Sequence, residues 1–361
     1  MKFIEAINRF LVEEIPFVCY RLPETLNPVI CVGGSFSRNV PDIDTKYFVF
    51  APFDEDEVSP VLYFPFEKQF EGADIDVLTY FNSPDSKLVF TSSEEPHLSS
   101  NIEYQQQANE LLSIFQEGRL KKIVLSRVIR KALPENFSLE QMFTELCKKY
   151  PAAFVYLLSD GQQLLWMGAS PETLLKVEDG LAETMALAGT TSATKVQSEN
   201  FQWGEKEINE QLFVTLFLRQ RLLESGIAVY TERGPQTVFA GNVAHLQTMF
   251  YFKIPDQIPL QQLISHLHPT PAVCGLPADE AMQVLRKTEK HKRRYYSGYL
   301  GIVESSNNAK IFVNLRCMEI MNKTAFLYVG GGLTSESELE SEWNETNLKA
   351  ETLTSVISNL S

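Results

Sequence analysis

Strand-type runs arrive in batches along this chain, and single long helices separate the batches. "YFVFAPF" and "VLYFPFE", at residues 47–53 and 61–67, are short apolar runs broken by Pro, Gly and Asp. "KKIVLSRVIR" (121–130) alternates as a strand, and "AAFVYLLSD", "QQLLWMGAS" and "ETLLKVED" follow one another over residues 152–179. "AKIFVNLRCMEIM" and "KTAFLYVGGGL" (309–321 and 323–333) read as a hairpin pair. Between them, "NIEYQQQANELLSIFQEGRL" is helical in period and closes at Gly118, and "SLEQMFTELCKKYP" is a helix with Ser138 as N-cap and Pro151 as stop. "EKEINEQLFVTLFLRQRLLESG" is a long amphipathic helix ended by Gly226, and a last helix begins near Glu340. A chain alternating strand and helix one for one would build a parallel sheet; batches of strands predict an α+β fold with antiparallel sheets.

The 361 residues, 44% of them hydrophobic with 24 Phe, can bury a substantial core. Neither Pro41 nor Asp85 marks a linker, so residues 1–361 are expected to form one compact unit, with the turn-rich stretch at 81–100 closing its first part. The 32 basic and 46 acidic residues leave a net charge of −14, which argues against a nucleic-acid or anionic-membrane surface. Five scattered cysteines without a C-x-x-C pair read as reduced thiols of a cytoplasmic protein. The opening "MKFIEAINRFLVEEIPF" has helical spacing but carries Glu5, Glu13 and Glu14, so no signal peptide is expected, and no apolar run approaches a membrane span.

Several residues carry possible chemistry, each beside a plainer reading. Glu207 and Glu210 share one helix face, as do Glu342 and Glu345. Two carboxylates from different helices can hold Mg²⁺, with the others bound to its waters; acidic i,i+3 pairs also occur on solvated faces, and Lys349 suits an ordinary ion pair with Glu345. Lys122, if strand alternation turns it inward with Val124 and Ser126, is a general-base candidate; otherwise it guards a strand edge. Glu172, after the Pro-containing turn of "GASPETLL", is a general acid if burial raises its pKa, or a surface-turn carboxylate. "LAGT" (187–190) and "YVGGGL" (328–333) read as glycine turns that can offer backbone N–H groups to an anion. Arg316 lies inside a strand pattern and can meet a carboxylate or snorkel at an edge. "HPTPAVCGLP" (268–277) takes a rigid path whose Ala272, Val273 and Cys274 form a small apolar wall.

Lys122 in "KIVLSR", Glu172 in "ASPE", "LAGT", the Glu207/Glu210 pair, His245, "HPTPAVCGLP", Arg316, the glycine stretch and "EWNETNLK" stand in the order and spacing of the chorismate-utilising enzymes, which the chain resembles over roughly residues 100–358. The resemblance implies two packed antiparallel β-sheets with helices outside and a central cleft. Residues 1–100 would be a variable part completing the sheets, and 101–358 the catalytic core. Within that family the chain looks most like isochorismate synthase. Lys122 would activate water to attack C2 of chorismate, and Glu172 would protonate the departing C4 hydroxyl. Glu210 and Glu345 would ligate Mg²⁺, with Glu207 and Glu342 behind them through water. Arg316, Lys349 and amides near Gly330 would hold the two carboxylates. Gly189, Thr190, His245, Ala272, Tyr296 and Gly332 would line the substrate site.

Members that use ammonia carry Gln where Lys122 stands, so water is the expected nucleophile and no glutamine amidotransferase partner is expected. Ala188 replaces the Lys of aminodeoxychorismate synthases. Ala272 replaces the Thr of pyruvate-eliminating lyases, which sets salicylate synthase second; a catalytically inactive binding homologue is a third reading. Gln211 departs from the His common after the metal Glu. A monomer or weak dimer is expected.

Overall fold

The computed structural model describes residues 3–42, 45–72, 94–240 and 243–360. The first part comprises helix α1 (Phe3–Val12) and strands β1 (Phe17–Arg21), β2 (Val29–Val32), β3 (Tyr47–Ala51), β4 (Leu62–Pro65) and β5 (Lys68–Glu71). Most of the stretch at 81–100 read as turn-rich lies outside the described residues. Helix α2 (Asn101–Gln116), β6 (Lys122–Ala132) and α3 (Leu139–Lys149) come next. They are followed by β7 (Phe154–Ser159), β8 (Leu165–Ser170), β9 (Thr173–Glu178) and β10 (Leu181–Ser192). A single turn, α4 (Ala193–Val196), and α5 (Glu205–Glu224) lead into β11 (Tyr230–Ala240) and β12 (Val243–Lys253). The remainder is α6 (Leu260–Leu267), β13 (Gly275–Leu276), α7 (Ala278–Thr288), β14 (Tyr299–Ser305), β15 (Asn308–Val313), β16 (Cys317–Met321), β17 (Thr324–Leu333) and α8 (Leu339–Asn359).

Among the described residues the strands form two sheets, of nine strands in the order β13-β6-β17-β16-β8-β7-β1-β2-β5 and of eight in the order β11-β12-β10-β9-β15-β14-β3-β4. Neighbouring strands run antiparallel, as the batches of strands predict. Strands β1 and β7 are buried at every position because both faces of their sheet are covered. Their alternation divides the load: Val18, Tyr20, Phe154, Tyr156 and Leu158 face the other sheet, and Phe17, Cys19, Val155 and Leu157 face helices α1, α3 and α8. Between the sheets lies an aromatic core, with Phe50 stacked on Tyr295 at 4.0 Å and Phe154 on Phe312 at 4.2 Å. Helices α5 and α6 cover the outer face of the eight-stranded sheet, while α2 and α7 close over the start of β6. No helix among the described residues is long and apolar enough to cross a membrane.

Two expectations are corrected. Residues 309–321 are not one strand: β15 pairs with β9 and β14 in one sheet, whereas β16 pairs with β8 and β17 in the other. The chain changes sheets at residues 314–316, so Arg316 sits in a crossing with φ 49° rather than in a strand. The hairpin proper joins β16 to β17 through Asn322 and Lys323, both at positive φ (47° and 59°), the geometry of a tight primed turn. Second, the glycines are not in turns. Gly330, Gly331 and Gly332 pair with Ser126, Leu125 and Val124 within the β17–β6 ladder, and Gly189 lies at a bulge in β10 with φ 70°.

The aromatic core yields a stability expectation. Phe50→Ala removes a fully buried ring and should cost about 3–5 kcal/mol, whereas Leu26→Ala, at a side chain 96% exposed, should move the denaturant midpoint little. Equilibrium urea unfolding of the two variants checks the contrast.

Candidate active site

Lys122 opens β6 with its side chain 4% exposed, buried like Val124 and Ser126 on the same side of the strand. Its Nζ lies 3.5 Å from Oε2 of Glu210, one turn into α5. The approach depends on Gly332 in the neighbouring strand, where an added Cβ would stand 3.1 Å from Lys122 Cε. At Gly330 a Cβ would meet the Tyr296 hydroxyl at 2.9 Å. The glycines of β17 thus leave a bare strip of backbone across which a lysine and a tyrosine reach.

Glu172 stands in the two-residue connection between β8 and β9, buried, and its carbonyl accepts from Val313 N at 3.0 Å. Burial pushes its carboxyl up to about 8, against the opposing pull of the Lys122 and Arg316 charges. Arg316 is half-buried at the sheet crossing and, among the described residues, has no hydrogen-bonded or ion-paired partner; burial draws its pKa below the usual arginine value. A desolvated guanidinium with no bonded counter-ion is suited to receive an anion. His245 in β12 lies opposite Thr190, whose hydroxyl meets its Nδ1 at 3.0 Å. Burial and then the Arg316 and Lys349 charges hold the ring neutral, with its pKa lowered to about 3, and the buried Nε2 has no partner among the described residues. Tyr296 is buried, and burial raises its phenol to about 12. Ala272 is half-buried in the segment between α6 and β13; in the same segment the buried Thr270 hydroxyl also lacks a partner among the described residues.

The carboxylates expected to hold a metal are held by lysines. Lys349 Nζ bonds Glu345 Oε1 at 2.6 Å and the Gly330 carbonyl at 2.9 Å. Burial works to raise the Glu345 pKa, but Lys349 outweighs it and the carboxyl titrates below its usual value. Lys206, which no spacing argument singled out, donates to the nearly inaccessible Glu342 at 2.8 Å, alongside Ser337 Oγ at 2.8 Å. Burial, and then the nearby Glu345 charge, raise the Glu342 pKa. Glu207 instead folds back over Gly204, and its backbone rests on Gly189, where a Cβ would meet the Glu207 carbonyl at 2.7 Å. Gln211 ties α5 to the sheet, donating to Ala186 O at 3.2 Å and Thr248 Oγ1 at 2.9 Å.

Among the described residues no three acidic, His or Cys side chains converge tightly enough to chelate an ion as they stand. The donor chemistry nevertheless fits a hard dication: the groups are carboxylate oxygens, and Glu342 Oε2 is buried with no partner among the described residues. Lys122, Lys206, Lys349 and Arg316 formally balance Glu207, Glu210, Glu342 and Glu345, while Glu172 is protonated at neutral pH. The resting site is therefore near neutrality, and a dianion entering it calls for two further positive charges.

The profile of the chorismate-binding enzymes matches residues 71–358. The vibriobactin-specific isochorismate synthase of Vibrio cholerae is 29% identical over 261 residues, covering 70% of this chain and 66% of that protein. Isochorismate synthase EntC of Escherichia coli is 27% identical over 271 residues (73% and 69%), and MenF of Bacillus subtilis 27% over 251 residues (68% and 53%). Among solved structures, menaquinone-specific isochorismate synthase MenF from Escherichia coli superposes with a TM-score of 0.78 at 20% identity, covering 95% of this chain and 88% of that one. Anthranilate synthase component I from Streptococcus pneumoniae reaches 0.70 at 18% identity over 88% and 82%. At those identities the likeness concerns the fold.

Glu172 supplies a pH expectation. Its folded pKa, about 8, exceeds the ordinary glutamate value of 4.5, so the native state retains a proton that the unfolded chain releases and stability is lost as pH rises between the two values. Glu172→Gln removes that loss. Its melting temperature should gain on the wild type from about pH 4.5 to about pH 8 and then level off, as calorimetry across pH can read.

Proposed function

The chain belongs to the chorismate-binding enzyme family, and from that premise we propose that it interconverts chorismate and isochorismate. The observation that carries the reading is the pairing of two buried groups of opposite chemical character, the Lys122 amine and the high-pKa Glu172 carboxyl, around an Arg316 with no hydrogen-bonded or ion-paired partner among the described residues. In the forward direction Lys122, once it has released the proton it carries in the resting ion pair with Glu210, takes a proton from water as the water oxygen bonds to C2. The ring double bonds shift and the C4–O bond breaks. Glu172 gives its proton to the departing oxygen, because hydroxide leaves poorly without an acid. The net exchange is one proton gained by Lys122 and one lost by Glu172, and the reverse reaction uses the same two groups in exchanged states.

Arg316, with Lys349 and the backbone near Gly330, is suited to the substrate carboxylates, and neutral His245 can offer its Nε2, unpartnered among the described residues, to a substrate oxygen. Glu210 and Glu345 would hold a Mg²⁺ ion, with Glu207 and Glu342 behind them through water; when bound, it would fix the ring carboxylate and draw charge from the ring. Lys122 in the base position favours water over ammonia, so no glutamine-hydrolysing partner is required. Ala272 at the wall favours release of isochorismate over further elimination.

Chromatography of products formed from chorismate with Mg²⁺ tests the proposal. Isochorismate in a reversible mixture is expected, and Lys122→Gln and Glu172→Gln should each lower turnover by about 10²-fold or more. Salicylate with pyruvate as the main products, or an untouched substrate, would overturn it. The lysine pairs give a separate expectation: Lys206→Met removes a cation that competes for Glu342, so Mg²⁺ should bind the substrate-free protein about tenfold more tightly, about 1.4 kcal/mol by calorimetric titration.

A further inference from the structure

Strand β6 carries Lys122, and its outer edge is covered by β13 for only two residues, Gly275 opposite Ile123 and Leu276 opposite Lys122. Val124 N extends this contact by donating to Cys274 O at 2.8 Å. Beyond that point the edge groups of β6 would be buried with no strand to pair with. In an antiparallel ladder the N–H and C=O of one residue point the same way, as do those two residues on. Val124 O and Ser126 N therefore both face the gap where β13 has ended.

A side-chain ion pair fills it. Arg293 donates through Nη2 to Val124 O at 2.5 Å, and Glu289 accepts from Ser126 N at 2.8 Å and Ser126 Oγ at 2.7 Å. The two partners lock each other through Arg293 Nε to Glu289 Oε2 at 2.8 Å and Nη2 to Oε1 at 2.7 Å. The remaining nitrogen of the fork, Nη1, reaches Val273 O at 2.7 Å, in the proline-rich wall next to Ala272. Phe53 seals the guanidinium from one face at 4.1 Å. Pro269 and Pro271 lack backbone donors, and the N–H groups of Val273 and Cys274 turn back to Thr270 O at 3.1 and 3.0 Å, so neither of those donors reaches β6.

We infer that Arg293, locked by Glu289, acts as a surrogate for the missing strand and positions the wall at Ala272 against the strand bearing Lys122. The spacing so set would decide how squarely Lys122 addresses the ring and how closely the wall confines it, a consequence that rests on the proposed chorismate reaction. A planar fork is required. An ammonium in its place can keep the pair with Glu289 but cannot also span two carbonyls on separate segments.

Arg293→Lys, with Glu289→Gln as a second variant and the neighbouring exposed Lys290→Met as control, tests this by hydrogen–deuterium exchange and by kinetics. Faster exchange confined to residues 121–126 and 270–276 is expected, with β7 and α8 unchanged. For the reaction, kcat should fall about tenfold or more with KM within about threefold, and the share of chorismate lost to pyruvate should rise. Lys290→Met should match the wild type. Unchanged exchange in those two segments, or a rise spread evenly over the chain, would overturn the positioning role. Local loosening with wild-type kcat and product ratio would overturn its bearing on the reaction. A wild-type protein that leaves chorismate untouched would sink the proposed function instead, while the exchange pattern would still decide the positioning.

Discussion

Everything at the centre of this molecule depends on the ladder between β6 and β17, paired from Thr324 opposite Ala132 to Leu333 opposite Ile123. At one end the ladder carries Phe326 and Tyr328 into the aromatic core; at the other it runs out into three glycines. Hydrogen bonding across the ladder keeps those glycines extended although they have no side chains to pack, and their bareness admits Lys122 and Tyr296 from neighbouring segments. The strand is rigid because of its backbone and permissive because of its composition, and a substrate pocket needs both properties.

Charge follows the same pattern of local balance. Each of Glu210, Glu342 and Glu345 has a lysine within salt-bridge distance, while Arg316 has no partner among the described residues and Glu172 holds its proton into the neutral range. Buried charges of one sign without compensation would be costly, and the lysines supply that compensation in the resting protein. A dianionic ligand and a dication arriving together would leave the balance where it began. On the proposed reading, the arrangement would favour joint over separate binding.

Local signals were legible where one element creates them. Ser138 and Gly226 mark helix ends as the sequence indicated, whereas "KKIVLSRVIR" left open whether Lys122 turns inward or guards an edge, because β6 is buried on both faces from Lys122 to Val128. Arg316 was misread as a strand residue because nothing in "FVNLRCMEI" announces a change of sheet. The reason lies in partners distant in sequence: Asn314 at the crossing donates to Tyr295 O and accepts from the Tyr156 hydroxyl. The glycines suggested turns because isolated β-propensity disfavours glycine, and only the facing side chains reveal why a strand keeps them. Arg293 and Lys206 escaped notice for a related reason. Within a basic run and an acidic helix start they look like solvated charge, and their partners come from remote parts of the fold.

The crossing at residues 314–316 has a mechanical consequence. Lys122 belongs to the nine-stranded sheet and His245 to the eight-stranded one, with Glu172 and Arg316 in segments that pass between the two. The aperture between these groups is therefore not a property of any loop. It would follow from how far one layer can shear over the other along the rings that meet between them, Phe50 edge-on to Trp166 and Phe154 stacked on Phe312. Substitutions deep in that aromatic seam, remote from any reacting atom, are thus a route by which a scaffold of this kind can retune the width of its pocket.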